Sequence, residues 1–361
     1  MNPGQQIWMI ARLELGRVFF SRRSFWVYLL AIFPTVIFLG HALDFSLKAK
    51  QWGGDRKTSA EALNQVQTGM TDEKVLQLLG KPINDSIRKR RIRRDEDPAA
   101  EKQPEVRRYM MYFDGKRRAD LRFEDGKLVS RNMRLLMNFE EDRKVYAGMF
   151  QFFYLRLGIF FGCLGIFINL FRGEMLDRSL HFWFLAPVKR EVLLLGKYLA
   201  GLIAAALIFG TGALFSFLAM VLPQDASEVQ TFWQTIGPEH AFWYVAAAML
   251  GCVGYGSIFL AAGLLLKNPI IPAIVMLLWE GINGFLPGVL QKLSVLHYVQ
   301  SLCPVPAPLP NDMPAVMKML LAPAAPSSVP LAVLGLLALT VLVLLAAMQA
   351  ARRLEINYGT E

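Results

Sequence analysis

Long apolar runs alternate with charged stretches along this chain, and the runs predict membrane-spanning helices. A helix needs about 20 mainly apolar residues to cross the hydrocarbon core of a bilayer. Six runs approach or exceed this length, at residues 25–47, 146–171, 192–222, 242–266, 270–290 and 330–348. The pattern therefore predicts an all-α membrane protein with six transmembrane helices, in which residues 146–361 hold spans two to six.

Residues 48–145 interrupt this pattern, because they are polar, strongly charged and free of any run long enough to span. Within them, Val75, Leu78 and Leu79 form an apolar stripe at helical spacing. Thr71 before the stripe is a favourable N-cap residue, and Gly80 after it commonly ends a helix. We expect a short amphipathic helix here.

Two strands follow this helix in the prediction, and a third begins at Leu128-Val129. Residues 108–113 and 118–123 alternate apolar and polar side chains, and an Asp-Gly pair suited to a tight turn follows each run. The highly charged stretch at residues 88–97 is expected to be a solvated, disordered loop. Together these signals predict a small α+β domain with an antiparallel meander, inserted between the first and second spans.

The distribution of positive charge in the short loops predicts the orientation. If the N-terminus is cytoplasmic, the inner segments hold twelve Lys and Arg residues, whereas the outer short loops hold only Lys292 and Lys318. Positive charge in short loops favours the cytoplasmic side, whereas long domains translocate largely regardless of charge. We expect both termini in the cytoplasm, residues 1–24 as a basic interfacial helix, and residues 48–145 outside.

The composition agrees with a membrane protein and gives little support to an enzyme. The chain is 54% hydrophobic with a formal net charge of +10, and its mean hydropathy is +0.35. Of the 39 Lys and Arg residues, 24 fall within residues 48–144, so the net charge does not by itself indicate nucleic acid. The sequence lacks the phosphate-binding motif Gly-x-x-x-x-Gly-Lys-Ser/Thr. Its four histidines are not spaced as metal ligands usually are. We expect no catalytic, cofactor or metal site in this chain.

Residues 172–197 carry both charged groups and a cluster of aromatic side chains between two apolar runs. Central charges would be costly inside a bilayer, so this segment is not expected to cross it. Its apolar content predicts a short helix along the membrane face, with an aromatic side that is available to another surface. An ordinary interfacial helix without a partner is the alternative. We call residues 172–197 the coupling segment.

The coupling segment resembles the first cytoplasmic loop of ABC-type exporter permeases of the type-2 class. The resemblance rests on Phe171-Arg-Gly-Glu174, Arg178-Ser-Leu180, Pro187-Val-Lys-Arg190 and Gly196-Lys197, in that order between two spans. The family usually has Gly-Thr-Leu where this chain has Arg-Ser-Leu. The resemblance covers residues 1–46 and 146–361 and excludes the inserted domain.

This resemblance implies a transmembrane subunit that couples ATP hydrolysis by a separate ABC ATPase to export of an unidentified lipid, polysaccharide or drug-like substrate. ATP would bind only to the partner subunit. The implied coupling residues are Glu174, Arg178, Phe182, Trp183, Phe184, Pro187, Lys189 and Arg190. The three aromatic residues would serve as apolar anchors, and Arg178, Lys189 and Arg190 as a charged rim. The resemblance further implies a homodimer or a sister permease, contact with membrane lipids, and a multi-pass location in a bacterial inner membrane. It does not imply a nucleic-acid partner.

The inserted domain is similar to the SmpA/OmlA-type domain of bacterial envelope lipoproteins. The similarity rests on the Gly-Met-Thr…Leu-Leu-Gly-Lys-Pro helix and the Tyr-Phe-Asp-Gly and Phe-Glu-Asp-Gly-Lys-Leu-Val strands, within residues 60–131. The lipoprotein cysteine of that family is absent here. The first span is therefore expected to tether the domain.

Two ionisable residues inside predicted spans are candidate functional residues. Glu280 could contact a cationic substrate or carry a proton, or it could bond to Asn283 or a backbone group in a structural role. Arg156 could pair within the bundle or extend towards the membrane surface. The residue pattern leaves these alternatives open.

Two other functions are compatible with the sequence. A non-transporting envelope scaffold would use the outer domain to bind a protein or an anionic lipid, with the spans as its anchor. A secondary transporter would require inverted repeats and more intramembrane charge than Glu280 and Arg156 provide.

Overall fold

The computed structural model divides the protein into two compact units, Met1–Phe38 with Glu140–Glu361, and Leu39–Phe139. We call the first the membrane unit and the second the inserted domain. The described residues are 2–20, 24–52, 58–90, 105–176, 183, 185, 187–266, 270–283, 286–306, 314 and 325–353. Arg178, Phe182 and Phe184 of the coupling segment lie outside them.

The chain begins with two helices, α1 (Pro3–Phe20) and α2 (Ser24–Trp52). Ile10 and Val18 of α1 are buried, so part of the predicted interfacial helix packs against protein. α2 starts in the membrane unit and continues into the inserted domain. Pro34 lies inside it.

The inserted domain contains a four-stranded antiparallel sheet with two short helices. The helices are α3 (Ala60–Gln65) and α4 (Asp72–Leu79), and the strands are β1 (Asn84–Arg90), β2 (Glu105–Phe113), β3 (Arg117–Glu124) and β4 (Lys127–Leu135), paired in that order. The predicted small antiparallel meander is confirmed. Part of the predicted disordered loop was assigned wrongly, because residues 88–90 belong to β1, an edge strand that pairs along its whole length with β2.

The helices and one face of the sheet enclose the core of this domain. Val75 and Leu79 of α4 pack there with Met110, Leu121 and Phe123 of the strands. The prediction that all three residues of the apolar stripe face the core was partly wrong, because Leu78 is 36% exposed.

An ion-pair network joins α4 to the first two strands. The Arg108 guanidinium donates from Nε and Nη2 to the two carboxylate oxygens of Asp85, at 2.9 and 2.6 Å, and from Nη1 to Asp72 at 2.7 Å. The hydrogen bonds from Arg108 lower the pKa of Asp85, although partial burial opposes this shift. The same partners raise the pKa of Arg108. A forked, charge-assisted contact of this kind fixes register between β1 and β2.

After the sheet, the described part of the membrane unit continues with a long helical rod and seven further helices. The rod consists of α5 (Phe139–Met149), a π-helix (Phe150–Ile159) and α6 (Phe160–Leu176). Next come α7 (Arg190–Val221), α8 (Ala226–Gln234), α9 (Gly237–Leu265), α10 (Ile270–Ile282), α11 (Gly288–Gln291), α12 (Val295–Ser301) and α13 (Val329–Arg352).

Among the described residues, five helical stretches are long and apolar enough to cross a membrane. They are Ser24–Trp52, Phe139–Met175, Arg190–Val221, Gly237–Leu265 and Val329–Arg352. Each coincides with a predicted span, which supports a helical membrane protein. The run at residues 270–290 differs, because α10 has 13 residues and so reaches only about 20 Å. The sixth span and the orientation of the termini stay predictions.

Glycines allow the central helices of the membrane unit to pack closely. The ring of Phe167 lies where a Cβ at Gly201 of α7 would approach within 2.7 Å, and a Cβ at Gly256 of α9 within 2.4 Å. A larger residue at either position would force the helices apart. Small residues therefore determine how α6, α7 and α9 meet, as is common between membrane helices.

Candidate functional site

A buried ionic network lies at the base of the coupling segment. The Lys197 side chain is fully buried, and its Nζ lies 2.8 Å from Glu14 Oε1 and 2.8 Å from Glu174 Oε1. The two glutamates are 4% and 8% exposed. These residues come from α7, α1 and α6, respectively, so one ammonium group joins three helices.

Two further side chains complete this network. Trp183 Nε1 donates to Glu174 Oε1 at 3.0 Å, and its ring centroid lies 5.4 Å from Lys197 Nζ. Arg17 Nη1 approaches the same glutamate oxygen at 3.4 Å, although its side chain is 70% exposed. Two carboxylates thus face two cations, which balances the charge that burial makes costly. We call Glu14, Arg17, Glu174, Trp183 and Lys197 the coupling network.

A close helix crossing brings the network together. A Cβ at Gly196 would lie 2.7 Å from Ile10 Cβ and 3.1 Å from the Ile7 carbonyl oxygen. Ile10 also packs with Val192 and Leu193 in a small buried cluster. Because residue 196 has no side chain, α7 approaches α1 closely enough for the next residue, a lysine, to reach Glu14.

The end of the coupling segment is attached to the last helix. Arg190 Nη1 donates to the carbonyl oxygens of Ala351 and Arg352, at 3.1 and 3.2 Å. The neighbouring Glu191 accepts from Arg352 Nε. A cation at the C-terminus of a helix satisfies carbonyl groups that have no partner within the helix and complements the helix dipole. We call this contact the α13 clamp.

The described coupling residues fall into two groups: some have side chains that bond within the protein, and the others are exposed. Glu174, Trp183 and Arg190 bond within the protein, in the coupling network or the α13 clamp. Pro187 and Lys189 are exposed, and Leu185 beside them is 80% exposed. The structure thus combines internally bonded residues with three exposed apolar and basic ones, Leu185, Pro187 and Lys189, which we call the exposed strip.

Glu280 occupies a structural position at the start of α12. The carboxylate is 1% exposed. It accepts a hydrogen bond from the Ser294 hydroxyl and from the backbone N–H groups of Val295 and Leu296, at 3.1 and 3.4 Å. These donors are the unpaired groups that begin a helix. Glu280 therefore joins α10 to α12.

Arg156 lies in the π-helix and is half-buried. Its Nε is shielded from solvent and has no hydrogen-bond acceptor among the described residues. π-Helical segments occur frequently at functional sites, so this position stays a functional prediction.

Sequence reasoning missed Glu14 and Lys197 as members of the site. The available signal was an acidic residue within a basic N-terminal helix and a lysine at the start of an apolar run. Neither position indicates its partner, because 183 residues separate the two. Among the described residues, no group of three or more His, Cys, Asp or Glu side chains is arranged to hold a metal ion.

Comparison of the chain with protein-family models, curated proteins and solved structures finds no match. The functional argument therefore depends on the geometry of this site and on the sequence pattern around it.

Proposed function

We propose that this chain is the transmembrane permease subunit of an ATP-driven exporter, working with a separate ABC ATPase subunit. The observation that carries the proposal is the coupling segment, which combines an exposed strip with buried attachments to several helices. Five long apolar helices support a membrane location. The order of residues in the segment supports the resemblance to type-2 exporter permeases.

In the proposed mechanism, the ATPase contacts the exposed strip of Leu185, Pro187 and Lys189. The coupling network attaches this region to α1 and α6, and the α13 clamp attaches it to the last helix. Movement of the ATPase would therefore displace several membrane helices together, which is how a rigid-body transition reaches a distant site. Two permease halves, identical or related, would line the export path.

Co-purification with the ATPase encoded nearest to this chain tests the proposal. The docking variant is Leu185→Ser/Lys189→Glu, because both side chains are exposed and, within the described ranges, neither is hydrogen-bonded or ion-paired to a helix of the membrane unit. The matched control is Leu293→Ser/Lys292→Glu, which makes the same changes at exposed positions elsewhere. Arg190 is avoided, because its substitution would also break the α13 clamp.

We expect a stoichiometric complex with wild type and control, and at least a tenfold loss of ATPase recovery with the docking variant. Unchanged elution and thermal unfolding of the permease would show that the variant is folded. Absence of a complex with any cellular ATPase would contradict the exporter function. Equal recovery with both variants would contradict docking at this strip.

A further inference from the structure

The sheet of the inserted domain has one face that carries a row of arginines. Its opposite face packs against α3 and α4 in the domain core. From the strand pairing, residues on the arginine side alternate with the core residues. We call this surface the arginine face, and its principal members are Arg88, Arg107, Tyr109, Arg118, Arg122 and Arg134.

Acidic residues neutralise only part of the arginine face. Glu124 lies 3.3 Å from Arg107 and 2.5 Å from Arg122, and Asp120 lies 2.9 Å from Arg118. Among the described side chains on this face, five arginines thus face two carboxylates. The net charge of these groups is +3.

The two remaining arginines, Arg88 and Arg134, are exposed. In the part of the chain that the structure describes, neither pairs with a carboxylate. They are therefore the arginines most available to an external anion.

The strand register places like charges directly opposite each other. Arg88 is the cross-strand partner of Arg107, and Arg118 is the partner of Arg134. Like charges at directly opposed positions destabilise a sheet. Natural proteins tolerate locally destabilising features mainly at functional sites. An anion bound across each pair would remove the repulsion.

The spacing of the two arginine pairs suits an extended ligand. Along β2 the pairs lie six residues apart, from Arg107 to the position paired with Arg118, which corresponds to about 20 Å. Between them lie Tyr109, 37% exposed, and uncharged hydrogen-bonding residues such as Ser130 and Asn132. Arg122 and Asp120 also lie between the two pairs, so neutral hydrogen-bonding groups are interspersed with charged ones along the face.

One end of the face is closed by α2. The Trp52 ring packs on Phe113 with centroids 5.7 Å apart, and the Arg118 guanidinium lies 5.7 Å from the Trp52 centroid. The stacked guanidinium is thereby held in place with reduced freedom. Arg134 beside it is exposed. This end of the face therefore has one guanidinium held in place by stacking and one that is accessible to solvent.

We propose that the arginine face binds an acidic polysaccharide. Guanidinium groups recognise sugar carboxylates by paired hydrogen bonds, Tyr109 offers an apolar ring face to a sugar ring, and Ser130 and Asn132 bond to sugar hydroxyls. This inference deepens the proposed function and rests on it in one respect: if the chain is an exporter, an acidic polysaccharide is its substrate class.

Binding of oligogalacturonate to the full chain in neutral phosphatidylcholine nanodiscs tests the proposal, with dextran as the uncharged comparison. The test variant is Arg88→Gln/Arg134→Gln. The matched control is Lys74→Gln/Lys81→Gln, which removes the same charge from exposed positions outside the arginine face. Tyr109→Ala tests the aromatic contribution separately. No ATPase is present, so the result is independent of the docking experiment.

We expect saturable binding of oligogalacturonate and none of dextran. The arginine variant should lose affinity by about tenfold or more, and the lysine control by about twofold or less. The arginine variant should also unfold at the same or a higher temperature, because its like-charge pairs are relieved.

Equal losses in the two variants would overturn the proposal in favour of general charge attraction. No binding of the acidic oligosaccharide, together with variant-sensitive binding of the domain to phosphatidylglycerol nanodiscs, would overturn it in favour of a lipid surface.

Discussion

Replacement of Lys197 by methionine isolates the electrostatic role of the coupling network. The substitution keeps most of the aliphatic volume and removes the ammonium group. Glu14 and Glu174 would then be left facing each other in a buried site. Since each carboxylate oxygen lies 2.8 Å from Nζ, the two oxygens are separated by at most about 5.6 Å.

The expected loss follows from this geometry. At an effective dielectric constant of about 20, two negative charges about 5.6 Å apart repel by about 3 kcal/mol. Removing one partner of a buried ion pair typically destabilises a protein by about 3–5 kcal/mol, because the remaining charge loses its compensation. We therefore expect Lys197→Met to lower the free energy of unfolding by about 3–5 kcal/mol.

Unfolding of the purified chain by SDS in mixed micelles measures this change. The double variant Glu14→Gln/Lys197→Met is the critical comparison, because Glu174 then keeps Arg17 and Trp183 as partners. We expect it to recover about half of the loss or more. A single variant as stable as wild type, or a double variant that is less stable than the single one, would refute the electrostatic reasoning.

Three further predictions concern other parts of the fold. Gly196→Ala should destabilise the chain by about 1–3 kcal/mol, because its Cβ would meet Ile10 at 2.7 Å; SDS unfolding measures this, and an unchanged midpoint would contradict the close crossing. Asp85 has a lowered pKa in the folded state, so its stabilising contact is present above the ordinary Asp pKa of about 4 and is lost as pH falls through the lower folded value. Wild type should therefore be more stable than Asp85→Asn at pH 7, and acid unfolding should show this difference in stability disappearing near pH 2. A difference that stays constant with pH would argue against the ion pair. Glu280→Leu should cost about 1–3 kcal/mol by leaving buried donors unpaired, whereas Glu280→Gln should cost less; a Gln variant of wild-type stability that lacks transport would instead support a functional carboxylate.

The sequence was most informative where a signal is local. Runs of apolar residues predicted the positions of the five long helices, because span length depends only on consecutive side chains. The Asp125-Gly126 pair predicted a hairpin, and both residues have positive φ, 49° and 77°, as a type I′ turn requires. The strand β1 was missed because Asn84–Arg90 carries few apolar residues, and an edge strand is specified by its partner.

The candidate site was less predictable because its contacts are non-local. The family resemblance implied coupling roles for Glu174 and Arg190 and placed Arg190 in a charged rim. Its actual direction depends on α13, whose C-terminus lies about 160 residues later along the chain. A charge pattern shows that a residue needs a partner, but only the tertiary fold determines whether that partner is solvent, another protein or a helix end.

The two attachments of the coupling segment differ in their physics, and this difference bears on the proposed mechanism. The contacts of Lys197 are shielded from water, so salt screens them little and their geometry is tightly constrained. The α13 clamp includes an Arg352 side chain that is 64% exposed, so its ion pair is screened and weaker. Under load from an ATPase, α1, α6 and α7 would therefore move as one body, while the α13 clamp would be the contact able to release. An exporter that alternates between two arrangements requires such a division between rigid and releasable contacts, and the coupling segment contains both within a single stretch of chain.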